Sequence, residues 1–333
     1  MRRLAACLLA LVLVAGCGGT RETREPDVVV REATTPADET PARGRSDAVH
    51  LWVVTHGQAS SAFWTKVRNG IEAARRQMGI EVTYRSPDVY DVDAMRELIE
   101  QAVASDPDGL VVSIPSPELE APIRAAIKAG IPVVSINSGS DVARRVGTLA
   151  HIGQPEEQAG YKAGKRLVAA GAHTALCVNH EVGNEALDLR CAGFDRAMRE
   201  SGGSSRVIAI DTNEDLDGSR ERIRLASGRP GVDAVLTLNS QGGELAAEVA
   251  PAGSILGTFD YSPVVLRAIR SGRIEFAVDQ QPYLQGYLPI VFLTERARYG
   301  LFPAQGDVVA TGPNFVTAQN AEQAERLSEQ DIR

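Results

Sequence analysis

The sequence predicts an α/β fold of two doubly wound parallel-sheet lobes, and three observations carry that prediction. From residue 49 onward, short apolar β-rich runs alternate with helical patterns, which signals parallel strands joined by crossover helices. Ten such runs exceed one comfortable open sheet, and a chain of 333 residues is long enough for two domains, each with its own core. The halves also share a rhythm. Both "DPDGLVVSIPSPELEAPIRAAIKAGIPVVSIN" and "RPGVDAVLTLNSQGGELAAEVAPAGSILGTFD" read as strand, polar loop, helix, Gly-bearing turn, strand and polar end.

The chain opens on "MRRLAACLLALVLVAGC", a basic start, an apolar stretch and a small-residue end, which reads as an export signal. The apolar stretch is short for a permanent membrane span. Its end, "LVAGC", resembles the bacterial lipobox and implies a lipoprotein signal peptide over residues 1–16, cleaved before a lipid-bearing Cys17. Residues 17–47 mix charges, Thr and Pro without periodicity and read as a tether.

The strand candidates then follow in order: "HLWVVT", "IEVTYR", "GLVVSIP", "IPVVSIN", "TLAHIG", "ALCVNH", "RVIAID", "AVLTLN", "SILGTFD" and "EFAVDQ". The first helix shows its period most clearly, with Phe63, Val67, Ile71, Ala74 and Met78 at helical spacing and Gly79 as its stop. Cys7 leaves with the signal and Cys17 is lipidated, so Cys177 and Cys191 remain. In an oxidising compartment a disulfide is the default for such a pair; two buried thiols are the alternative.

Several function classes fall away. A net charge of −8 with arginines dispersed among carboxylates leaves no basic stripe for nucleic acid. His50, His56, His151, His173 and His180 are scattered, without metal-ligand spacing, and no G-x-S-x-G elbow, Walker loop or G-x-G-x-x-G fingerprint occurs. The expectation is a binding protein with no catalytic residues, metal or cofactor.

In open α/β sheets, ligands bind at the carboxyl ends of the strands. The residues there are Ser61, Phe63 and Trp64 after the first strand, Asn137 and Ser138 after the fourth, and Asn184, Asp188 and Arg190 after the sixth. Asn239, Asp260 and Gln280 end the last three, and His56 lies on a loop of the same edge. Amides, carboxylates, a guanidinium and flat apolar faces suit a neutral polyhydroxylated ligand, since planar groups pair with vicinal hydroxyls while an aromatic covers the C–H face. The plainer reading of each Asn or Asp is a helix N-cap, and that of the aromatics is core. Adjacent helical residues point about 100° apart, so one of Phe63 and Trp64 should face away from the core, and Trp64 is the better candidate.

These residues, in this order, resemble the periplasmic sugar-binding proteins of the ribose- and galactose-binding type, the extracytoplasmic receptors of ABC importers. The resemblance runs from about residue 49 to 317 and rests on "HGQASSAFWTKVRNGIEAA", "AGIPVVSINSG", "HIGQPEEQAGYKAG", "GNEALDLRCAGF", "GTFDYSP" and "VDQQPYLQGYLPI". It implies that Phe63 and Trp64 flank a sugar ring, while Asn137, Arg190, Asn239, Asp260 and Gln280 bind its hydroxyls. His56, Ser61, Ser138 and Asn184 are weaker candidates. Ser138 stands where ribose binders carry an arginine, so the implied ligand is another sugar, a polyol or a cyclitol.

The resemblance further implies a type I periplasmic binding protein: a three-strand hinge crossing near Gly153, Gln280 and Val309, with lobes of residues 48–153 plus 281–309 and 154–280 plus 310–333. The partners it implies are a membrane ABC permease and, through the lipid, the membrane itself, for a monomeric receptor facing outward. A sensor kinase or chemoreceptor reading the closed form is the alternative. A repressor with the same lobes would need a helix-turn-helix where this chain carries its lipobox and tether.

Overall fold

Alternation along the strands decides how each sheet is covered. In β1 (His50–Val54), Leu51 and Val53 pack with Val111, Val134, Ile136 and Ile152, while Trp52 and Val54 pack on the opposite side with Met95, Ile99, Leu110 and Val112. Successive strand side chains face opposite ways, so a run that is apolar at every position is buried on both sides. The computed structural model describes residues 48–57, 61–212, 215–304 and 306–328. The expected signal peptide, Cys17 and the tether lie outside the described residues.

Two six-stranded sheets form. The first contains β1, β2 (Glu81–Arg85), β3 (Gly109–Ser113), β4 (Val133–Ile136), β5 (Ala150–Gly153) and β11 (Val308–Ala310), in the order β11-β5-β4-β3-β1-β2. The second contains β6 (Thr174–Asn179), β7 (Ser204–Ala209), β8 (Ala234–Thr237), β9 (Ile255–Phe259), β10 (Phe276–Asp279) and β12 (Asn314–Val316), in the order β12-β10-β9-β8-β6-β7. The two orders coincide when β1 is matched to β6 and each later strand to its successor. All pairings are parallel except β10 with β12. The ten strands expected from the sequence all form, and the fold is the two-lobed, doubly wound α/β architecture.

The chain passes between the sheets after β5, after β10 and between β11 and β12. Val309 pairs with Ile152 inside the first sheet, so the third passage comes at residues 311–313, just beyond the expected position. Side chains knit these passages together: Gln281 Nε2 donates to Thr311 O at 2.7 Å, and Gln285 Nε2 to Thr311 Oγ1 at 3.1 Å.

Helix α1 (Ala62–Met78) ends as expected at Gly79, which takes the left-handed conformation and donates its N–H to Arg75 O. Its buried stripe is Trp64, Val67, Gly70, Ile71 and Ala74, so Trp64 and not Phe63 leads it. The geometry explains the exchange: seven residues turn about 700°, which places Trp64 within about 20° of Ile71, whereas Phe63 stands about 80° away.

Each lobe has one very close helix crossing made possible by glycines. α5 (Glu156–Ala169) meets α6 (Glu185–Glu200) where a Cβ on Gly160 would lie 1.9 Å from Arg190 O, and one on Gly193 1.9 Å from Glu157 O. α1 meets α10 (Pro282–Tyr299) in the same way, through Gly70 against Tyr283 O and Gly286 against Val67 O. Alanine in place of a helical glycine normally gains about 1 kcal/mol. Here the obstacle is backbone, so overpacking at about 1–3 kcal/mol should win. Gly160→Ala is therefore expected to lower the melting temperature, and a rise would show that α5 and α6 can part freely. The same corner carries the Cys177–Cys191 disulfide, which ties β6 to α6. Closing so short a loop contributes about 3 kcal/mol in the chain-entropy model.

Candidate functional site

The two sheets turn their strand carboxyl ends toward one another and build a cleft by the same devices used twice. Asn137 follows β4 and Asp260 follows the matching β9, and both adopt left-handed backbone with φ of 62° and 57°. Asn and Asp tolerate this region better than other non-glycine residues. Each also donates its N–H to the neighbouring strand, Asn137 to Ile152 O at 3.0 Å and Asp260 to Val278 O at 2.8 Å. His56 and His180 form a second matched pair, each two residues beyond the last β1–β3 or β6–β8 partner.

Between the sheets lies a cavity of about 320 Å3, lined by eleven of the twelve residues singled out in the sequence, His56 through Gln280; Asp188 is the exception, its carboxylate accepting from Asn179 Nδ2 at 3.1 Å. Sequence reasoning missed His180, Glu181, Thr212, Ser240, Gln241 and Glu244, which also line it. The match of His180 to His56 was the available signal, because both follow an apolar strand of the same length class. The others sit on loops and first helical turns, where polar residues carry no distinguishing pattern.

Gln280 is the centre of the polar wall. Its Oε1 accepts from Asn137 Nδ2 at 3.4 Å and Arg190 Nη2 at 3.3 Å, and its Nε2 donates to Asp260 Oδ1 at 2.9 Å. One amide thus joins groups from both sheets. Arg190 is 3% exposed and forks onto Glu156, with Nε to Oε2 at 2.6 Å and Nη2 to Oε1 at 3.0 Å, while its guanidinium lies 4.6 Å from the Phe259 ring centroid. Glu156 in turn accepts from Gln154 Nε2 at 2.9 Å. Burial alone would lower the Arg190 pKa, but Glu156, Asp260 and Glu181 outweigh it and hold the group above its usual value.

The capping reading holds at two positions alongside their place in the wall. Asn184 Oδ1 caps α6 by accepting from Ala186 N at 3.1 Å, and its Nδ2 donates to Glu181 at 2.8 Å and reaches His56 Nε2 at 3.3 Å. Asn239 Oδ1 caps α8 (Ser240–Val249) through Gly242 N at 2.8 Å, and its Nδ2 donates to Thr212 Oγ1 at 3.0 Å. Ser138 is buried and donates to Asn137 Oδ1 at 2.9 Å, whereas Ser61, the residue before α1, makes no side-chain cap and lines the cleft.

The aromatic corner divides its work. Trp64 is 4% exposed, set edge-on to His56 at 4.9 Å and to Phe63 at 5.1 Å, with its indole against Gly57 where any Cβ would collide. Phe63 is the half-buried partner and lines both the cleft and its inner corner beside Lys66 and Asp260. The apolar face offered to the cleft is therefore chiefly Phe63, braced by Trp64, and not the reverse order expected from the sequence.

Burial pushes His56 down to about 3, aided by His180 and Arg190, and His180 likewise to about 3, so both imidazoles are neutral. Burial also raises Asp260 to about 6 against the pull of Arg190, Gln280 and Lys66. The wall thus presents a raised carboxylate, a fixed guanidinium and several amides, with neutral rings between them. That set forms directional hydrogen bonds to hydroxyls. Direct bonds join the two sides, including Glu185 N to Pro115 O at 2.9 Å and Lys66 Nζ to Tyr261 O at 3.4 Å, so the lobes are closed on each other.

A fold of two matched lobes closed over a cleft of strand-end polar groups defines a solute-binding protein. The chain belongs to the family described as periplasmic binding protein domain, whose model matches residues 52–300. It is 25% identical over 285 residues to the xylose/arabinose-binding protein XylF of Sulfolobus acidocaldarius, covering 78% of this chain and 69% of that protein. Among solved structures, a carbohydrate transporter protein of Acidothermus cellulolyticus in complex with myo-inositol superposes with a TM-score of 0.80 at 31% identity, covering 86% of this chain and 100% of the other. A solute-binding protein of Burkholderia graminis in complex with D-arabinose shares the fold, with a TM-score of 0.73 at 21% identity over 83% and 98% of the two chains.

Proposed function

We propose that this protein is a lipid-anchored extracytoplasmic receptor that captures a neutral sugar, polyol or cyclitol and delivers it to an ABC importer. The observation that carries the reading is the convergence of Asn137, Arg190, Asn239, Asp260 and Gln280 with the Phe63 face on one cavity between the lobes. Relatives whose names record xylose, arabinose or myo-inositol support the ligand class. In this reading the lobes divide after Gly153, after Gln280 and at residues 311–313, slightly beyond the expected 309/310 boundary, and the lipid on Cys17 with its tether keeps a monomeric receptor near the permease.

Function follows from closure. A ligand held by one lobe gains its contacts with the other only when the cleft shuts, and that differential binding favours the closed form. A hydroxyl buried without a partner costs about 1–3 kcal/mol, so ligands lacking the right pattern are rejected. No bond is made or broken; the closed shape is the output.

A thermal-shift screen of sugars, polyols, cyclitols, amino acids and short peptides tests the reading. A ligand at a hundred times its Kd adds about 2.7 kcal/mol, a shift of several degrees for a protein of this size. Stabilisation by sugars, polyols or cyclitols is expected, and stabilisation confined to amino acids or peptides would overturn the reading.

A further inference from the structure

Gln285, in the first turn of α10, is 0% exposed and stands behind the cleft wall, outside the residues that line it. Its helix is held there by the neighbouring Gly286, on which a Cβ would lie 2.0 Å from Val67 O of α1. An amide buried this deeply costs about 1–3 kcal/mol for each polar group left unpaired. Gln285 is paired at both ends: Nε2 donates to Gln280 O at 3.0 Å and to Thr311 Oγ1 at 3.1 Å, and Oε1 accepts from Asn137 Nδ2 at 3.2 Å. Asn137 and Gln280 belong to the cleft wall, and Gln280 and Thr311 to two of the passages between the sheets.

Two groups that cannot reverse fix the direction of these bonds. A backbone carbonyl only accepts, so Gln280 O requires the nitrogen of Gln285, which turns Oε1 toward Asn137 and demands a donor there. A guanidinium only donates, so Arg190 Nη2 requires Gln280 Oε1 at 3.3 Å, and that oxygen also demands a donor from Asn137, at 3.4 Å. Both constraints select the same orientation of the Asn137 amide; turned over, its oxygen would meet two oxygens. Both Nδ2 protons are thereby committed, and Ser138 Oγ donates to Oδ1 at 2.9 Å. What Asn137 retains for a ligand is the second lone pair of Oδ1.

We infer that Gln285 is a positioning residue: its hold on Asn137 makes that wall group an acceptor, so a ligand must offer a donating hydroxyl there. The inference rests on the sugar or cyclitol reading of the cleft and adds a rule to it. An ether oxygen, a carboxylate or a fluorine at that point of the ligand has no proton to give and is rejected. Without Gln285, only Gln280 Oε1 directs the Asn137 amide.

Calorimetric titration of the purified protein with D-xylose, L-arabinose, D-ribose, D-glucose, D-galactose and myo-inositol tests this. Gln285→Met, which keeps the side-chain length without its hydrogen bonds, should weaken every one of these that the wild type binds by about tenfold. In an Asn137→Gly background, which keeps the left-handed backbone at that position, adding Gln285→Met should change affinity by less than about twofold. Gln285→Glu at pH 5, where burial keeps the carboxyl neutral, can still donate to Gln280 O and accept from Asn137, and should stay within about threefold of the wild type at the same pH. That variant decides the matter if Gln285→Met does not melt cooperatively. Wild-type affinity in Gln285→Met, the same loss of about tenfold in the Asn137→Gly background, or a loss of about tenfold in Gln285→Glu would overturn the role of Gln285 and leave the receptor reading intact. Binding of none of the six compounds by the wild type would overturn both.

Discussion

Arg190→Met is expected to lower both stability and ligand affinity, and by more than any other single side-chain change in the cleft. The substitution leaves Glu156 buried with Gln154 as its one remaining side-chain partner among the described residues. An uncompensated half of a buried pair costs about 3–5 kcal/mol, or about 5–10 °C in melting temperature for a protein of this size. The ion pair itself is not intrinsically stabilising, because neutral groups of similar volume often replace such pairs without loss. The double variant Arg190→Met with Glu156→Gln should therefore recover most of the stability and none of the binding. Thermal melts read the first effect and calorimetry the second. Full stability in the single variant would mean that Glu156 is not paired as described, and wild-type affinity in the double variant would remove Arg190 from the binding wall.

Asp260→Asn is expected to weaken binding by about tenfold to a hundredfold, since a hydrogen bond to a charged group is worth about 1.5–3 kcal/mol. The amide keeps the left-handed backbone that Asp260 occupies, so the fold should tolerate the change. The wild-type protein should also show a pH signature. Burial first, against Arg190, Gln280 and Lys66 and together with Asp279, raises the carboxyl to about 6. A raised acidic group favours the folded state at low pH and withdraws that support as pH climbs from about 4 to about 6, so the ligand-free cleft holds its carboxylate at a cost. Hydroxyls that donate to the ionised form offset it. Affinity should accordingly strengthen from pH 5 to pH 7 by up to about tenfold and level off above. His56 and His180, both near 3, stay neutral across this window. The slope should vanish in Asp260→Asn; persistence there would assign it to another group, with Glu181, which burial also raises, next to examine.

The sequence was legible wherever a pattern repeats over several residues. Fully apolar runs such as "GLVVS" announced strands covered on both faces, and β3 is indeed buried at all five positions. Strands β11 and β12 were not legible, because three residues flanked by Gly and Pro carry no period. The cleft was readable because strand ends in a parallel sheet share one edge, so Asn137, Asp260 and Gln280 could be named from position alone. Their partners could not. Glu156 sits at the start of α5 among "QPEEQ", where Glu157 beside it is exposed and only the crossing of α5 and α6 decides which carboxylate meets Arg190. The aromatic pair fell between these cases: the sequence showed that one ring leaves the core, but the phase of a single helix over-weighted Phe63 as core until Trp64 was aligned with Ile71 and set against Gly57.

A crystal structure of the protein with the ligand that most raises its melting temperature is the most direct test of the central claim. The ring is predicted to lie between the lobes against Phe63, with hydroxyls on Asn137, Arg190, Asn239 and Asp260. A ligand seated outside this cleft, or one gripped by none of these four residues, would contradict it.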